Sequence, residues 1–157
     1  MEIDDRAFMA VLAIVLILGT LSAYIVVSAI GGNDPYDTVH EYMVEADLDD
    51  VKYEGFGESV YASESKLYRT YQFSISMTRA TGDAERLSFG IVFNLDDEPD
   101  GTIFTKIGHE EIDDRVLSVW TASYGGSSYT YHIGEMCTVE KVEIVSDRGT
   151  VTAILTD

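Results

Sequence analysis

The sequence predicts a mainly β protein: an N-terminal transmembrane helix followed by an antiparallel β-sandwich or barrel-like domain. Residues 8–30 form an apolar run of 23 residues without a charge. Beyond it, apolar side chains recur at every second position in three pairs of segments, each pair joined by turn residues. Val, Ile, Thr, Tyr and Phe, the residues that suit a pleated and half-buried surface, are enriched throughout that part. These observations divide the chain into a tail (1–7), a transmembrane helix (8–30), a linker (31–37) and one extracytoplasmic β domain (38–157).

The apolar run comes first. A helix rises about 1.5 Å per residue, so the run reaches about 35 Å, enough for a hydrocarbon core of about 30 Å. A cleaved secretory signal has a shorter apolar stretch behind a basic leader. Here the leader, Met-Glu-Ile-Asp-Asp-Arg, is acidic, although Val27-Ser28-Ala29 would offer a small-residue cleavage site. No cysteine follows directly, which excludes a lipoprotein anchor. Arg6 is the one basic residue before the run and none follows until Lys52. The positive-inside rule therefore puts residues 31–157 outside the cytoplasm. Gly19 and Ala23 make a small-xxx-small pair, which lets helix backbones approach in lipid and points to self-association.

The chain carries 28 acidic and 10 basic side chains, of which only Glu2, Asp4, Asp5 and Arg6 precede the run. An exposed part so acidic repels phosphate backbones and anionic headgroups, which excludes nucleic acid as a partner. The bilayer, through 8–30, and a protein partner or a second copy are the partners that remain. Cys137 is the single cysteine, so no intrachain disulfide staples the domain. Its neighbours Met136 and Val139 suggest a strand, with the thiol acting as a small buried hydrophobe.

The elements follow in order. Gly31-Gly32-Asn33-Asp34-Pro35 ends the helix and begins a flexible linker. Thr38-Val39-His40-Glu41 matches a capping box, and Val39, Tyr42, Met43 and Ala46 follow at helical spacing. A short helix over 38–46 is expected, closed by Asp47, Asp49 and Asp50, with a strand the close competitor. From Lys66 the period becomes two. Residues 67–77 alternate apolar and polar, Arg79-Ala80-Thr81-Gly82-Asp83 turns the chain, and Leu87, Phe89, Ile91 and Phe93 return it as a long hairpin. A second hairpin runs over 116–124 and 129–133 around Gly125-Gly126-Ser127-Ser128. A third joins 139–145 to 151–155 through Ser146-Asp147-Arg148-Gly149. Shorter strands at 51–56, 59–63 and 102–107 bring the total to eight or nine, the spacing of a sandwich or barrel.

Chemistry-bearing motifs are few. Asp96, Glu98 and Asp100, followed by Gly101, resemble the opening of a calcium loop, but Ile107 stands where a bidentate Glu belongs. An acidic turn is the simpler reading, and no cofactor is expected. His40, His109 and His132 fall in three different elements without the second histidine of a metalloprotease helix. Neither a Gly-x-Ser-x-Gly nucleophile motif nor a phosphate-cradling loop occurs. No catalytic residue emerges, and the chain is not expected to be an enzyme. The tyrosines are the surplus. Tyr124, Tyr129 and Tyr131, around the Gly-Gly-Ser-Ser turn, are the expected interaction surface, because tyrosine offers large contact area at small entropic cost.

Asp5-Arg6-Ala7-Phe8-Met9, leading directly into the apolar run, resembles the class III signal of archaeal type IV pilins. That resemblance implies cleavage between Ala7 and Phe8, a long hydrophobic helix and a β-rich head. The leader is acidic where the family's is Lys-rich, and Leu12 stands where many bacterial-type pilins place a glutamate. Two functions follow as expectations. The first is a single-pass, membrane-anchored β domain serving as a binding or structural module at the cell surface. The alternative is a pilin-like subunit of a surface filament, cleaved after Ala7. A membrane-tethered enzyme comes third.

Overall fold

The computed structural model describes Tyr36 and residues 38–64 and 67–156. The predicted helix over 8–30, the cut after Ala7 and the Gly19–Ala23 pair lie outside the described residues. Among the described residues no helix is long and apolar enough to cross a membrane.

Nine antiparallel strands form one sheet: β1 (His40–Leu48), β2 (Val51–Glu64), β3 (Tyr68–Thr78), β4 (Ala84–Asn94), β5 (Thr105–Ile112), β6 (Arg115–Tyr124), β7 (Ser127–Ile133), β8 (Val139–Ser146) and β9 (Gly149–Leu155). Their order is β4-β3-β2-β1-β9-β8-β7-β6-β5. Two meanders therefore run outward from a central β1–β9 pair, and the sheet curls until β7 faces β3 and β4 across the interior.

This corrects the expected architecture. Among the described residues there is no second sheet, so they form no sandwich, and β4 and β5 do not pair, so no barrel closes. The reason lies in the ten residues between those two strands. They fold back on β4 instead of crossing tightly: Asn94 N–H donates to Glu98 O (2.8 Å), Asp100 N–H donates to Val92 O (2.8 Å), and Phe93 bridges to Pro99. Side chains fill the seam in place of a backbone ladder. Phe104 packs edge-on to Tyr131 at 5.6 Å, and the Tyr131 hydroxyl donates to the Gly90 carbonyl at 3.1 Å.

The expected helix over 38–46 is strand β1. Its inner face, Tyr42, Val44, Ala46 and Leu48, is buried at every second residue. A helix would have turned Val44 and Leu48 away from the core and left both neighbouring strands unpaired. Pairing with β2 and β9 outweighs the capping-box signal. The short candidates at 51–56 and 59–63 are one strand, β2, while that at 102–107 corresponds to β5. The three predicted hairpins are β3–β4, β6–β7 and β8–β9.

The concave face holds the core, an aromatic layer in which Phe73 stacks on Phe89 (4.8 Å, 5° between planes) and leans on Tyr42 (5.5 Å). The Tyr42 hydroxyl donates to Val139 O at 2.7 Å, so its polar end is satisfied inside. Fully burying each such ring is worth about 1.5–3 kcal/mol. Glycine makes the curl possible. Gly55 faces β3, where a Cβ would overlap the Ser76 carbonyl oxygen, and a Cβ at Gly57 would press on the Ile75 side chain at 3.0 Å. Bare backbone at both lets β3 close over β2, while the alternation of the strand sets Phe56, between them, outward.

Candidate functional site

The outer face carries the feature that a monomeric sheet does not need. Met43 on β1 stands directly opposite Phe56 on β2 and Ile154 on β9. The three form one cross-strand row, with neighbouring Cβ atoms about 5 Å apart. All three are in solvent, at 77% exposure for Phe56, 56% for Met43 and 53% for Ile154. A shallow groove of about 270 Å³ runs beside the row, lined by Met43, Glu45, Thr152, Ile154, Leu155 and Thr156. The neighbouring outward positions are acidic: Glu41 and Glu45 flank Met43, and Glu54 and Glu58 flank Phe56, all four exposed. The arrangement is an apolar bar between carboxylates.

The sequence marked other residues. Tyr124, Tyr129 and Tyr131 do come together, as a ladder of rings with Tyr124 on Tyr129 at 4.3 Å and Tyr129 near Tyr131 at 6.4 Å. The ladder lines the inside of the sheet, however. Tyr131 is wholly buried and the other two are half-buried. Burial pushes the hydroxyls of Tyr124 and Tyr131 above the usual phenol range. Their register explains it, since residues 124, 129 and 131 sit on the face of Trp120 and Val142. Tyr131 therefore offers no contact surface.

Asp96, Glu98 and Asp100 lie in the β4–β5 connection, as an acidic turn. Asn94 Oδ1 accepts from Asp96 N–H (2.9 Å) and Glu98 N–H (3.2 Å), and Asp100 Oδ1 accepts from the Thr102 hydroxyl (2.8 Å) and N–H (3.0 Å). Among the described residues no three His, Cys, Asp or Glu side chains converge as a metal requires.

The carboxylate the sequence reading passed over, Asp97, has a structural task. It accepts from Arg69 (2.7 Å), from the Tyr36 hydroxyl (2.9 Å) and from the Cys137 thiol (3.5 Å). The Arg69 guanidinium also lies over the Tyr36 ring at 4.1 Å, and the Tyr71 hydroxyl donates to Tyr36 O at 3.0 Å. Tyr36, at the end of the predicted flexible linker, is thus pinned to the domain. Cys137 is buried as expected, but in the β7–β8 turn at φ +60° and not in a strand. Burial, with Asp97 beside it, pushes its thiol up to about 12.

His132 has two carboxylates beside it, Glu110 of β5 in close contact with Nδ1 and Glu143 of β8 at 3.2 Å from Nε2. They tie the edge strand β5 across β6 to β7. Desolvation opposes ionisation of Glu143, but hydrogen bonds from Lys141 and His132 hold its pKa below the usual range. His40 lines a separate cleft of about 670 Å³ with Arg115, Leu117, Met136 and Glu140, where Arg115 is paired to Glu140 at 2.5 Å. His109 is on β5 opposite Ser118, next in sequence to the Glu110 that contacts His132.

No protein-family model matches the chain, and no curated protein matches it in sequence. Among solved structures it is similar to a presumed outer membrane lipoprotein-sorting protein domain from Vibrio parahaemolyticus. The TM-score is 0.29 with 9% identity, over 87% of this chain and 90% of that one. At that level nothing about the function of this chain follows.

Proposed function

We propose that the chain is a membrane-tethered, extracytoplasmic β domain that works as a non-catalytic binding or structural module at the cell surface. Its contact surface is the outer face of β2, β1 and β9. The observation that carries this reading is the exposed row of Phe56, Met43 and Ile154. Contiguous exposed apolar area on an otherwise acidic surface marks an interaction site. The glutamates around it select a partner that presents apolar side chains flanked by lysine or arginine. The apolar run over 8–30 supplies the tether.

A photo-crosslinking residue placed at Phe56 in intact cells tests the reading. A discrete adduct is expected that disappears when Met43 and Ile154 are both changed to serine. The same probe at Ser88, exposed on β4, should give none. Adducts that are equal at both positions, or absent from both, would sink the proposal. External protease should digest the domain on intact cells, and a domain protected until lysis would place it on the other side.

Asp5-Arg6-Ala7-Phe8 favours a second reading, a pilin-like filament subunit in which the same row packs against a neighbouring head. N-terminal sequencing decides it. Phe8 as the first residue supports the filament subunit, and Met1 removes it.

A further inference from the structure

The two edges of the open sheet are finished differently. The edge of β4 is covered by its own connection. Asp100 N–H donates to Val92 O and Asn94 N–H to Glu98 O, at 2.8 Å each, and Gly90 O accepts from the Tyr131 hydroxyl at 3.1 Å. Among the described residues the edge of β5 has no such cover.

Which peptide groups of β5 point to the open side follows from the turns. Asp113 and Asp114, both at positive φ, make a two-residue turn, a kind that closes with hydrogen bonds between its flanking residues, here Ile112 and Arg115. Bonds to β6 then alternate through Ile112, Glu110 and Gly108, which leaves the N–H and C=O of Glu111 and His109 on the open edge. Tyr124 and Ser127 close the Gly125-Gly126 turn in the same way, so Tyr124, Ala122 and Trp120 bond to β7. Lys106, opposite Trp120 across the bulge at Ile107, therefore also faces the open edge.

Lys106, His109 and Glu111 are all exposed. Glu110, on the other face of the strand, lies against His132 of β7 and anchors β5 to the sheet. An open, anchored edge is a template for another strand, and proteins ordinarily blunt it with charges and bulges. Here the charges have an order. Turned antiparallel about an axis through His109, the strand meets itself with His109 opposite His109, Gly108 opposite Glu110, Lys106 opposite Glu111 and Thr105 opposite Ile112. The bulge takes Ile107 out of the count, and that is what brings Lys106 level with Glu111. Lys106 and Glu111 also share a face, since they stand opposite Trp120 and Val116, two even positions of β6. Unlike charges directly opposite one another stabilise a strand pair. Within one copy neither residue has an ion pair among the described residues, and the Lys106 ammonium lies 5.9 Å from the Trp120 ring centre.

We propose that two copies of the chain associate through β5, antiparallel about His109, with a Lys106–Glu111 ion pair at each end of the contact. The same charges repel a strand that lacks their order, so the edge is selective for its own sequence. This surface is separate from the exposed row, and the proposal does not depend on what the row binds.

Disulfide trapping in the full-length chain, held in mild detergent with Cys137→Ala as background, tests it. The axis brings residue 109 of the two copies to about 5.5 Å between Cα atoms, within disulfide range. His109→Cys should therefore form an intermolecular disulfide about tenfold faster than Ser88→Cys, exposed on β4. Association through any other part of the chain would favour neither position in this way. Lys106→Glu or Glu111→Lys, each added to His109→Cys, should remove the advantage, and the two reversals together should restore it. If His109→Cys does not fold, a mixture of Lys106→Cys chains with Glu111→Cys chains gives the same test, the mixed disulfide forming in preference to either homodimer. Equal rates at 109 and 88, single reversals without effect, or a double reversal that fails to restore the rate would each overturn the proposal.

Discussion

Two parts of the same outer surface invert the usual rule of burial. Phe56, Met43 and Ile154 stand in water, while Thr70 and Gln72, toward the other end of the sheet, are sealed. Hydrophobic residues left outside are common singly, but a row across three adjacent strands is not. Polar residues inside are normally paired, and Gln72 is not. The first region lacks an apolar cover, and in the second a buried carboxamide lacks a hydrogen-bond partner. One sheet thus presents two incomplete surfaces of opposite chemistry. The exposed row suits a separate partner.

The largest effect should come from breaking the geometry that presents the row. Gly55→Ala puts a methyl where the Ser76 carbonyl oxygen already is. Neither backbone can give way without opening the β2–β3 ladder. Overpacking of this kind costs about 1–3 kcal/mol in an adaptable core and should exceed 3 kcal/mol against backbone. Urea unfolding measures it. A variant within 1 kcal/mol of wild type would show that β2 and β3 can part at Gly55 without loss of the ladder.

The next effect sharpens the other side of the contrast. His132 is also polar, also buried and also on the outer face, but its Nε2 hydrogen-bonds Glu143 at 3.2 Å and its Nδ1 lies against Glu110. His132→Ala leaves Glu143 with Lys141 alone, takes from Glu110 its contact with β7 and leaves β5 untied. Partial exposure of both glutamates moderates the loss, to about 1–2 kcal/mol. If the variant is as stable as wild type, buried polar groups on this face need no partner, and the contrast with Gln72 loses its force.

How much of this was legible follows from which signals are local. The hairpins β3–β4, β6–β7 and β8–β9 were readable because period-two alternation meets glycine at the turn. The β5–β6 hairpin was not, since it turns on Asp113 and Asp114 at φ 49° and 63°, where glycine or asparagine is the usual signal. β1 carried two compatible periods, and only its partners on both edges decided between them. The open seam depends on a loop that folds back on β4, a tertiary event with no sequence period. The burial of Tyr131 was not legible for a related reason. Alternation shows that two faces exist but not which is concave, so the tyrosines at 124, 129 and 131 read as outward. Phe56 was obscured further, because the glycines beside it carry no side chain to mark a face.

The effect that is smallest at neutral pH lies at the Tyr36 end of the sheet and is read by pH. The Cys137 thiol, buried and beside Asp97, is pushed from an ordinary value of about 9 up to about 12. Between those values the folded chain keeps a proton that the unfolded chain has released. Stability is therefore fully present below about pH 9 and is lost as pH rises through about 12, with a slope of at most about 1.4 kcal/mol per pH unit from this group. Tyr131, whose hydroxyl burial also pushes up, contributes with the same sign at higher pH. Cys137→Ala should flatten the alkaline limb of a stability curve measured by urea unfolding from pH 8 to 11. Because Asp97 also holds Tyr36, a loss of that slope without a change at pH 7 would separate the thiol's titration from the clamp's mechanical part. Identical slopes for the two proteins would mean the thiol reaches water, and that this end of the sheet is less sealed than Gln72 indicates.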